Sequence, residues 1–302
     1  MICKNLFIGG FYNVRSEDEM MKLILDIAMK DERIRLVTLE GSRTNKNVPR
    51  DKFQDYDISY FVTDMDSFTS DESWLDQFGE RLMMQKPEDM ELFPPELGDW
   101  FSYLMLFKDH HKIDLTLIPL SQTEDYFTQS DGLAEIVLDK DDRINSKMIA
   151  SDEQYHIKKP TPREFDDCCN EFWMVSTYVI KGLMRKEILF ALDHMNDILR
   201  PNVLRMIAWN IGIENQFSLS VGKNYKYIQH YMNAKDWEIL LNTYVGNTYE
   251  SVWKALFDCQ GLFRAYSKSV AVLLRYEYPE YDQRITEYTL KHYQRFQADF
   301  SL

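Results

Sequence analysis

The sequence predicts an α+β protein: an N-terminal domain of strands and helices, residues 1–156, followed by an all-helical domain, residues 157–302. Three observations lead to this prediction. The chain has 302 residues, a length that suits two domains. Up to about Tyr155 the apolar pattern is typical of strands, and beyond it apolar residues recur at helical spacing. Thr161, Pro162 and Glu164 then form a strong helix start, with Thr as the N-cap.

The N-terminal domain begins with a helix and two strands. Ser16 and Glu19 form a capping box, and apolar residues follow them at helical spacing. A strand is predicted over residues 33–39 and ends in a turn at 40–43. A polar loop, residues 44–54, leads into a second strand over 56–62.

The rest of this domain contains a short helix and three further strands. The helix is predicted near residues 74–78, a strand over 82–84 follows, and prolines mark an irregular segment after it. Residues 101–107 and 112–118 are strand-like, and the segment 108–111 between them is typical of a hairpin turn.

The second domain is predicted to be helical throughout. Its first helix, which starts after Thr161, places Phe165, Phe172 and Val179 on one face. Pro201 and Pro279 indicate breaks between helices. Further helices are predicted over 187–199, 203–209, 225–232, 237–245, 249–275 and 280–298.

The composition limits the classes of function. The net charge is −14, and no basic stripe of the kind that duplex-binding proteins carry is visible, so nucleic acid is not an expected partner. An acidic surface suits a small cationic partner, although acidity also serves solubility alone.

The four cysteines lack metal-ligand spacing and fit a reducing cytoplasm. No apolar run reaches the length of a membrane span, and residues 1–14 lack the features of a signal peptide; we expect an extension ahead of the first helix.

Three aspartates lie in or beside apolar strands. Asp55 and Asp57 are one residue apart, so they project to the same face of a strand, where two like charges are costly to bury unpaired. A third carboxylate, Asp114, lies in the strand over 112–118 and also needs a partner. Mg²⁺ is usually held by one or two carboxylates together with substrate phosphates. These residues therefore predict a metal-nucleotide site.

The order of these motifs resembles a known superfamily. Gly41 and Ser42, a spacer of about a dozen residues, the Asp-x-Asp pair and the later Asp114 are similar to nucleotidyltransferases with a polymerase-β-like palm. A longer match resembles the aminoglycoside 6-adenylyltransferases, which modify streptomycin. It is carried by residues 39–45, 53–58, 78–82, 113–117, 167–173 and 222–226.

This resemblance implies a fold and a reaction. The fold would be a polymerase-β-like nucleotidyltransferase domain with a mixed sheet, followed by the helical domain. The reaction would be transfer of AMP from ATP to a hydroxyl of streptomycin, the 6-hydroxyl by family, with release of pyrophosphate. Asp55 and Asp57 would bridge two Mg²⁺ ions, and Asp114 would bind the metal nearer the acceptor, accept the proton of its hydroxyl, or both.

The triphosphate contacts are predicted in two places. The backbone N–H groups of Gly41 and Ser42, with the Ser42 hydroxyl, would hold the phosphates, and Arg43 would assist or would form a structural ion pair. Lys223 and Lys226 follow a glycine before a helical-looking segment, which suits binding of the outer phosphates; otherwise they are solvated surface lysines.

The acceptor contacts are predicted on the helix that starts at Thr161. Asp167, Glu171 and Tyr178 fall on one face, where the carboxylates could pair with the guanidinium groups of the acceptor; the alternative is a solvated face. Trp173 is expected either to stack on a sugar or to belong to the core.

Two other functions are compatible with the same residues. One keeps the fold and the metal site but uses another small molecule or a protein as the acceptor. The second is a non-catalytic nucleotide-binding module, which the presence of all three carboxylates disfavours.

Overall fold

The computed structural model describes residues 14–144 and 149–300. The chain divides into two compact units, Met1–Gln154 and Tyr155–Leu302. The predicted boundary lies two residues further along the chain. Most of the expected N-terminal extension, residues 1–13, lies outside the described residues. No helix in the described ranges combines the length and the apolar character that crossing a bilayer requires.

The N-terminal unit is built on a six-stranded mixed sheet with the order β3-β4-β5-β2-β1-β6. Strands β2 and β5 pair in parallel, and the other neighbouring strands pair antiparallel. The strands are β1 (Ile34–Glu40), β2 (Tyr56–Val62), β3 (Arg81–Gln85), β4 (Phe101–Phe107), β5 (Lys112–Pro119) and β6 (Ala134–Asp139). The helices of this unit are α1 (Glu17–Lys30), α2 (Asp66–Thr69) and α3 (Thr123–Gln129).

The two faces of the sheet differ in character. On one face, alternate residues of β2 such as Tyr56, Ile58 and Tyr60 are buried against the apolar side of α1. Phe61 belongs to the other face and packs with Tyr126 of α3 in a separate, smaller apolar cluster. The carboxylate of Asp57, four residues before Phe61 in β2, lies on the same face of the sheet as Phe61.

Three elements of this unit are absent from the sequence prediction. Helix α2 is a single turn, helix α3 has no side-chain cap, and β6 is a short edge strand that is mostly half-buried, so none of them leaves a strong periodic signal. The predicted helix near 74–78 is a 3₁₀ segment, Glu72–Phe78.

The second unit is helical. Its elements are α4 (Pro162–Met184), α5 (Ile188–His194), α6 (Arg200–Glu214), α7 (Ala234–Asn242), α8 (Tyr249–Leu274) and α9 (Tyr281–Phe300). The capping box predicted at Thr161 is present, because its side chain accepts from the backbone N–H of Glu164. The predicted α+β fold class, with a mixed sheet and a following helical region, is confirmed.

The break predicted at Pro201 is wrong. The backbone stays helical from α5 into α6 through a π-helical turn, Met195–Leu199, and Pro201 lies in the first turn of α6. Widened turns of this kind accommodate a local irregularity inside a helix without ending it. The break at Pro279 is confirmed, since it separates α8 from α9.

Candidate active site

The acidic residues predicted from the sequence lie in one row across the middle of the sheet. Asp57 of β2 is directly opposite Asp114 of β5 in the parallel pairing. Asp55 lies two residues before Asp57, just ahead of β2. On the other side, Glu40 at the end of β1 is opposite Asp57 in the antiparallel pairing. The pleat therefore aligns the carboxylates of three neighbouring strands on one face.

The turn after β1 brings the backbone against this row. Gly41 has φ +66°, in the left-handed region, and a Cβ at this position would lie 2.4 Å from Oδ2 of Asp57. Only glycine leaves room for the carboxylate. The N–H of Gly41 donates to the carbonyl of Leu133 at 2.8 Å. Because this N–H is already bonded, the predicted triphosphate contact at this turn depends on Ser42, and it stays a prediction.

Arg43 supports the loop that carries Asp55. It is 4% exposed, and its guanidinium donates from Nε to the carbonyl of Asp55 at 2.9 Å and from Nη2 to the carbonyl of Gln54 at 2.8 Å. It also stacks over the ring of Tyr56, with 3.6 Å between the guanidinium carbon and the ring centroid. The structural alternative is thus favoured over a phosphate contact, because the guanidinium donors are engaged beneath the surface.

Lys112 bridges two of the three aspartates. Its Nζ lies 2.6 Å from Oδ2 of Asp114 and 3.0 Å from Oδ2 of Asp55. In spite of the burial of this side chain, its bonds to the two carboxylates raise the pKa of Lys112 above its ordinary value. The ammonium therefore stays charged and neutralises part of the row.

Burial and the neighbouring carboxylates disfavour the ionised form of Asp57. Burial, with the charges of Asp114, Asp55 and Glu40, raises the pKa of Asp57 to about 6. Burial also raises the pKa of Asp114, although the Lys112 ammonium opposes that rise. Carboxylates under this strain gain from an added cation.

The carboxylate row has the donor atoms of a Mg²⁺ site but not its preformed geometry. In the described ranges no group of three or more His, Cys, Asp or Glu side chains is arranged so that it could hold a metal ion. The donor chemistry nevertheless fits: the row offers carboxylate oxygens, the ligands that Mg²⁺ prefers. Oδ1 of Asp114 is buried and has no hydrogen-bond partner, and Lys112 already holds Asp55 and Asp114 around one positive charge. The residues therefore fit a divalent cation once the ammonium moves.

The residues predicted to contact the acceptor lie on α4 of the helical unit. Asp167, Glu171 and Tyr178 are exposed on one side of the helix, and Asp167 forms an ion pair with Arg163 at 3.0 Å. Their exposure leaves them available to a ligand.

Trp173 of the same helix is in the core. It is 1% exposed and packs edge-on against Phe263, with 6.1 Å between the ring centroids. This placement agrees with the core alternative for Trp173, because a core indole cannot present a face to a ligand without unpacking the helices around it.

Lys223 and Lys226 lie on an exposed turn of the helical unit. Gly222, with φ +76°, precedes them, and a Cβ there would approach the ring of Tyr227 to 2.6 Å. The helix predicted over 225–232 is wrong: the chain forms two 3₁₀ turns, Lys223–Tyr225 and Ile228–Tyr231. No helix N-terminus is therefore present at these lysines, and the predicted phosphate contact depends on the two exposed side chains alone.

Comparison with known proteins places this architecture in a family. The sequence profile of the streptomycin adenylyltransferase family matches residues 14–292. The chain belongs to the streptomycin adenylyltransferase family. The family predicted from the sequence motifs is thereby confirmed, and so is the prediction of a nucleotidyltransferase enzyme.

Similar proteins in this family match the chain over most of its length. An aminoglycoside 6-adenylyltransferase of Bacillus subtilis is 63% identical over 91% of this chain and 97% of its own length. One of Campylobacter jejuni is 56% identical over 94% of this chain and 98% of its own. A crystal structure of an aminoglycoside 6-adenyltransferase from Bacillus subtilis, 57% identical, covers 92% of this chain and 99% of its own with a TM-score of 0.46.

In this family member, sequence reasoning misses two charged residues of the row. Lys112 is two residues before Asp114, so the strand period alone puts the two on one face, and that signal is available in the sequence. Glu40 is placed opposite Asp57 by the pairing of β1 with β2, which the spacing of residues within one strand does not reveal. Its Oε1 accepts hydrogen bonds from Ser59 at 2.5 Å, Tyr126 at 2.7 Å and Thr38 at 2.8 Å. These bonds fix Glu40 beside Asp57.

Proposed function

We propose that the protein transfers the adenylyl group of Mg-ATP to a hydroxyl of an aminoglycoside, the 6-hydroxyl of streptomycin, and releases pyrophosphate. The observation that carries the proposal is the register that sets Asp57 opposite Asp114, with Asp55 beside them and Gly41 packed against Asp57. The family supports an aminoglycoside as the acceptor, since the relatives are named for that activity. The net charge of −14 favours a cationic acceptor through long-range attraction.

The reaction is a displacement at phosphorus. The acceptor oxygen forms a bond to the α-phosphorus, and the bond from that phosphorus to the pyrophosphate oxygen breaks. Such transfers depend on positioning and on neutralising charge more than on covalent help from the protein. Asp55, Asp57 and Asp114 would hold Mg²⁺, which would supply charge neutralisation at the phosphates and at the attacking oxygen.

The side chains of the chain itself divide the remaining work. Asp114 accepts the proton of the acceptor hydroxyl, because burial raises the pKa of its carboxyl group and makes the carboxylate a stronger base. Ser42 holds the phosphates from the turn after β1. Arg43 keeps the backbone of Asp55 in place from below.

The helical unit provides the other contacts in this proposal. Lys223 and Lys226 neutralise the outer phosphates as point charges. Asp167 and Glu171 pair with guanidinium or ammonium groups of the acceptor, and Tyr178 packs against its rings. All five side chains are exposed, and each is therefore free of the core packing that excludes Trp173.

Pyrophosphate release with Mg-ATP tests the proposal directly. We expect release with streptomycin and not with kanamycin or spectinomycin, and mass spectrometry of the product should show one added AMP on the acceptor. Release with another aminoglycoside alone would keep the reaction and change the acceptor. No release with any of them, from protein that binds Mg-ATP, would contradict an aminoglycoside acceptor and favour the other functions.

A further inference from the structure

The ammonium of Lys112 lies between the carboxylates of Asp55 and Asp114. Asp55 precedes β2, and Asp114 belongs to β5, so the two carboxylates reach this point from different segments of the chain. The contacts of 3.0 Å and 2.6 Å are of ion-pair length, and they use Oδ2 of each aspartate. One positive charge thus holds together two carboxylates that would otherwise repel.

The same two carboxylates are assigned to Mg²⁺ in the proposed function, on which this inference rests. A divalent cation and an ammonium a few ångströms apart repel strongly where water is partly excluded. Binding of the metal to Asp55 and Asp114 therefore requires the ammonium of Lys112 to leave. Its side chain is 34% exposed, and its flexible four-carbon stem allows the ammonium to move without disturbing the core.

We propose that Lys112 is a resident counter-ion that competes with free divalent cations for Asp55 and Asp114, so that the site takes up metal together with nucleotide. A free cation that displaces the ammonium leaves the two positive charges facing each other. A metal that arrives with a triphosphate brings several negative charges, and the displaced ammonium then has an anion within reach. Lys112 is in this sense a positioning residue that selects the order of loading.

The N-terminal unit contains a matched control. Lys86 bridges Glu72 at 3.2 Å and Asp89 at 3.1 Å, and its side chain is 32% exposed, close to the value for Lys112. A Lys86→Met variant loses the same charge and the same kind of bridge, but it leaves the aspartate row intact. Any effect of net charge alone should appear in both variants.

Titration of the full-length protein with Mn²⁺, followed by electron paramagnetic resonance of the free ion, tests the proposal. We expect Lys112→Met to bind free Mn²⁺ about tenfold more tightly or better than the wild type, because a like charge is removed from the site. Lys112→Arg and Lys86→Met should bind it as the wild type does. With α,β-methylene-ATP present, the wild type and Lys112→Met should differ by less than about threefold, since the triphosphate compensates for the ammonium.

Three outcomes would overturn the proposal: free Mn²⁺ binding that is unchanged or weaker in Lys112→Met, an equal gain in Lys86→Met, or an equal gain in Lys112→Arg. If Lys112→Met does not fold, Lys112→Gln replaces it; failure of both to fold in millimolar Mn²⁺ would also contradict a counter-ion that metal can replace. A wild type that binds no Mn²⁺ even with the analogue would instead refute the metal site of the proposed function.

Discussion

Replacing Asp57 by Asn should stabilise the protein in the absence of metal while it abolishes most of the activity. The pKa of Asp57 is raised from 3.8 to about 6 by burial and by neighbouring negative charges. That difference corresponds to about 3 kcal/mol of destabilisation when the carboxylate is ionised. The amide of Asn also has to be desolvated, so we expect a gain of about 2 kcal/mol, or about 5 °C in melting temperature, at pH 8 in EDTA.

The pH dependence of this gain follows from the direction of the pKa difference. The folded chain holds the proton of Asp57 more tightly than the unfolded chain, so Asp57 does not reduce the free energy of unfolding of the wild type below about pH 4. That free energy falls as the pH rises through about 6, where Asp57 ionises in the folded chain. The difference between Asp57→Asn and the wild type should therefore grow between pH 4 and 7 and stay constant above that.

Calorimetric melts in EDTA across this pH range provide the assay, with Glu91→Gln as the control. Glu91 is exposed in the same unit, so its replacement changes the net charge without relieving the aspartate row. With Mg-ATP and streptomycin, Asp57→Asn should turn over at least about 100-fold more slowly, or about 2.7 kcal/mol in the barrier. A variant that is no more stable than the wild type at pH 8, or whose gain does not change with pH, would refute this reasoning.

Other substitutions separate the roles of neighbouring residues. Gly41→Ala should lower kcat by about 100-fold, because the new Cβ pushes the Asp57 carboxylate aside. The control is Gly98→Ala: Gly98 has φ +64° and no atom within 4 Å of a new Cβ, so this variant should lose only about 1 kcal/mol of stability through backbone strain. Equal losses of activity in the two variants would contradict this expectation. Arg43→Met should lose about 2–3 kcal/mol of stability in a denaturant melt, because the carbonyls of Asp55 and Gln54 lose their hydrogen-bond donor. A raised KM for ATP with unchanged stability would instead favour a phosphate contact. Glu171→Gln should raise the KM for streptomycin about tenfold and leave the KM for ATP unchanged, and equal changes in both constants would assign it a structural role.

Local periodicity determined much of the fold and part of the site. The spacing of two residues between Asp55 and Asp57 put both on one face of a strand, and the same period links Lys112 with Asp114. Capping residues fixed the start of α4 because their hydrogen bonds stay within one helical turn. The order and spacing of the sequence motifs along the chain were enough to identify the family.

Only the tertiary structure decided which strands are neighbours and which side chains are buried. The parallel pairing of β2 with β5 joins segments about fifty residues apart, and it alone sets Asp57 opposite Asp114. It also brings Lys112 to Asp55. Burial separated Arg43 from the exposed cations, because the solvent exposure of a side chain depends on packing across the whole unit and not on its neighbours in sequence.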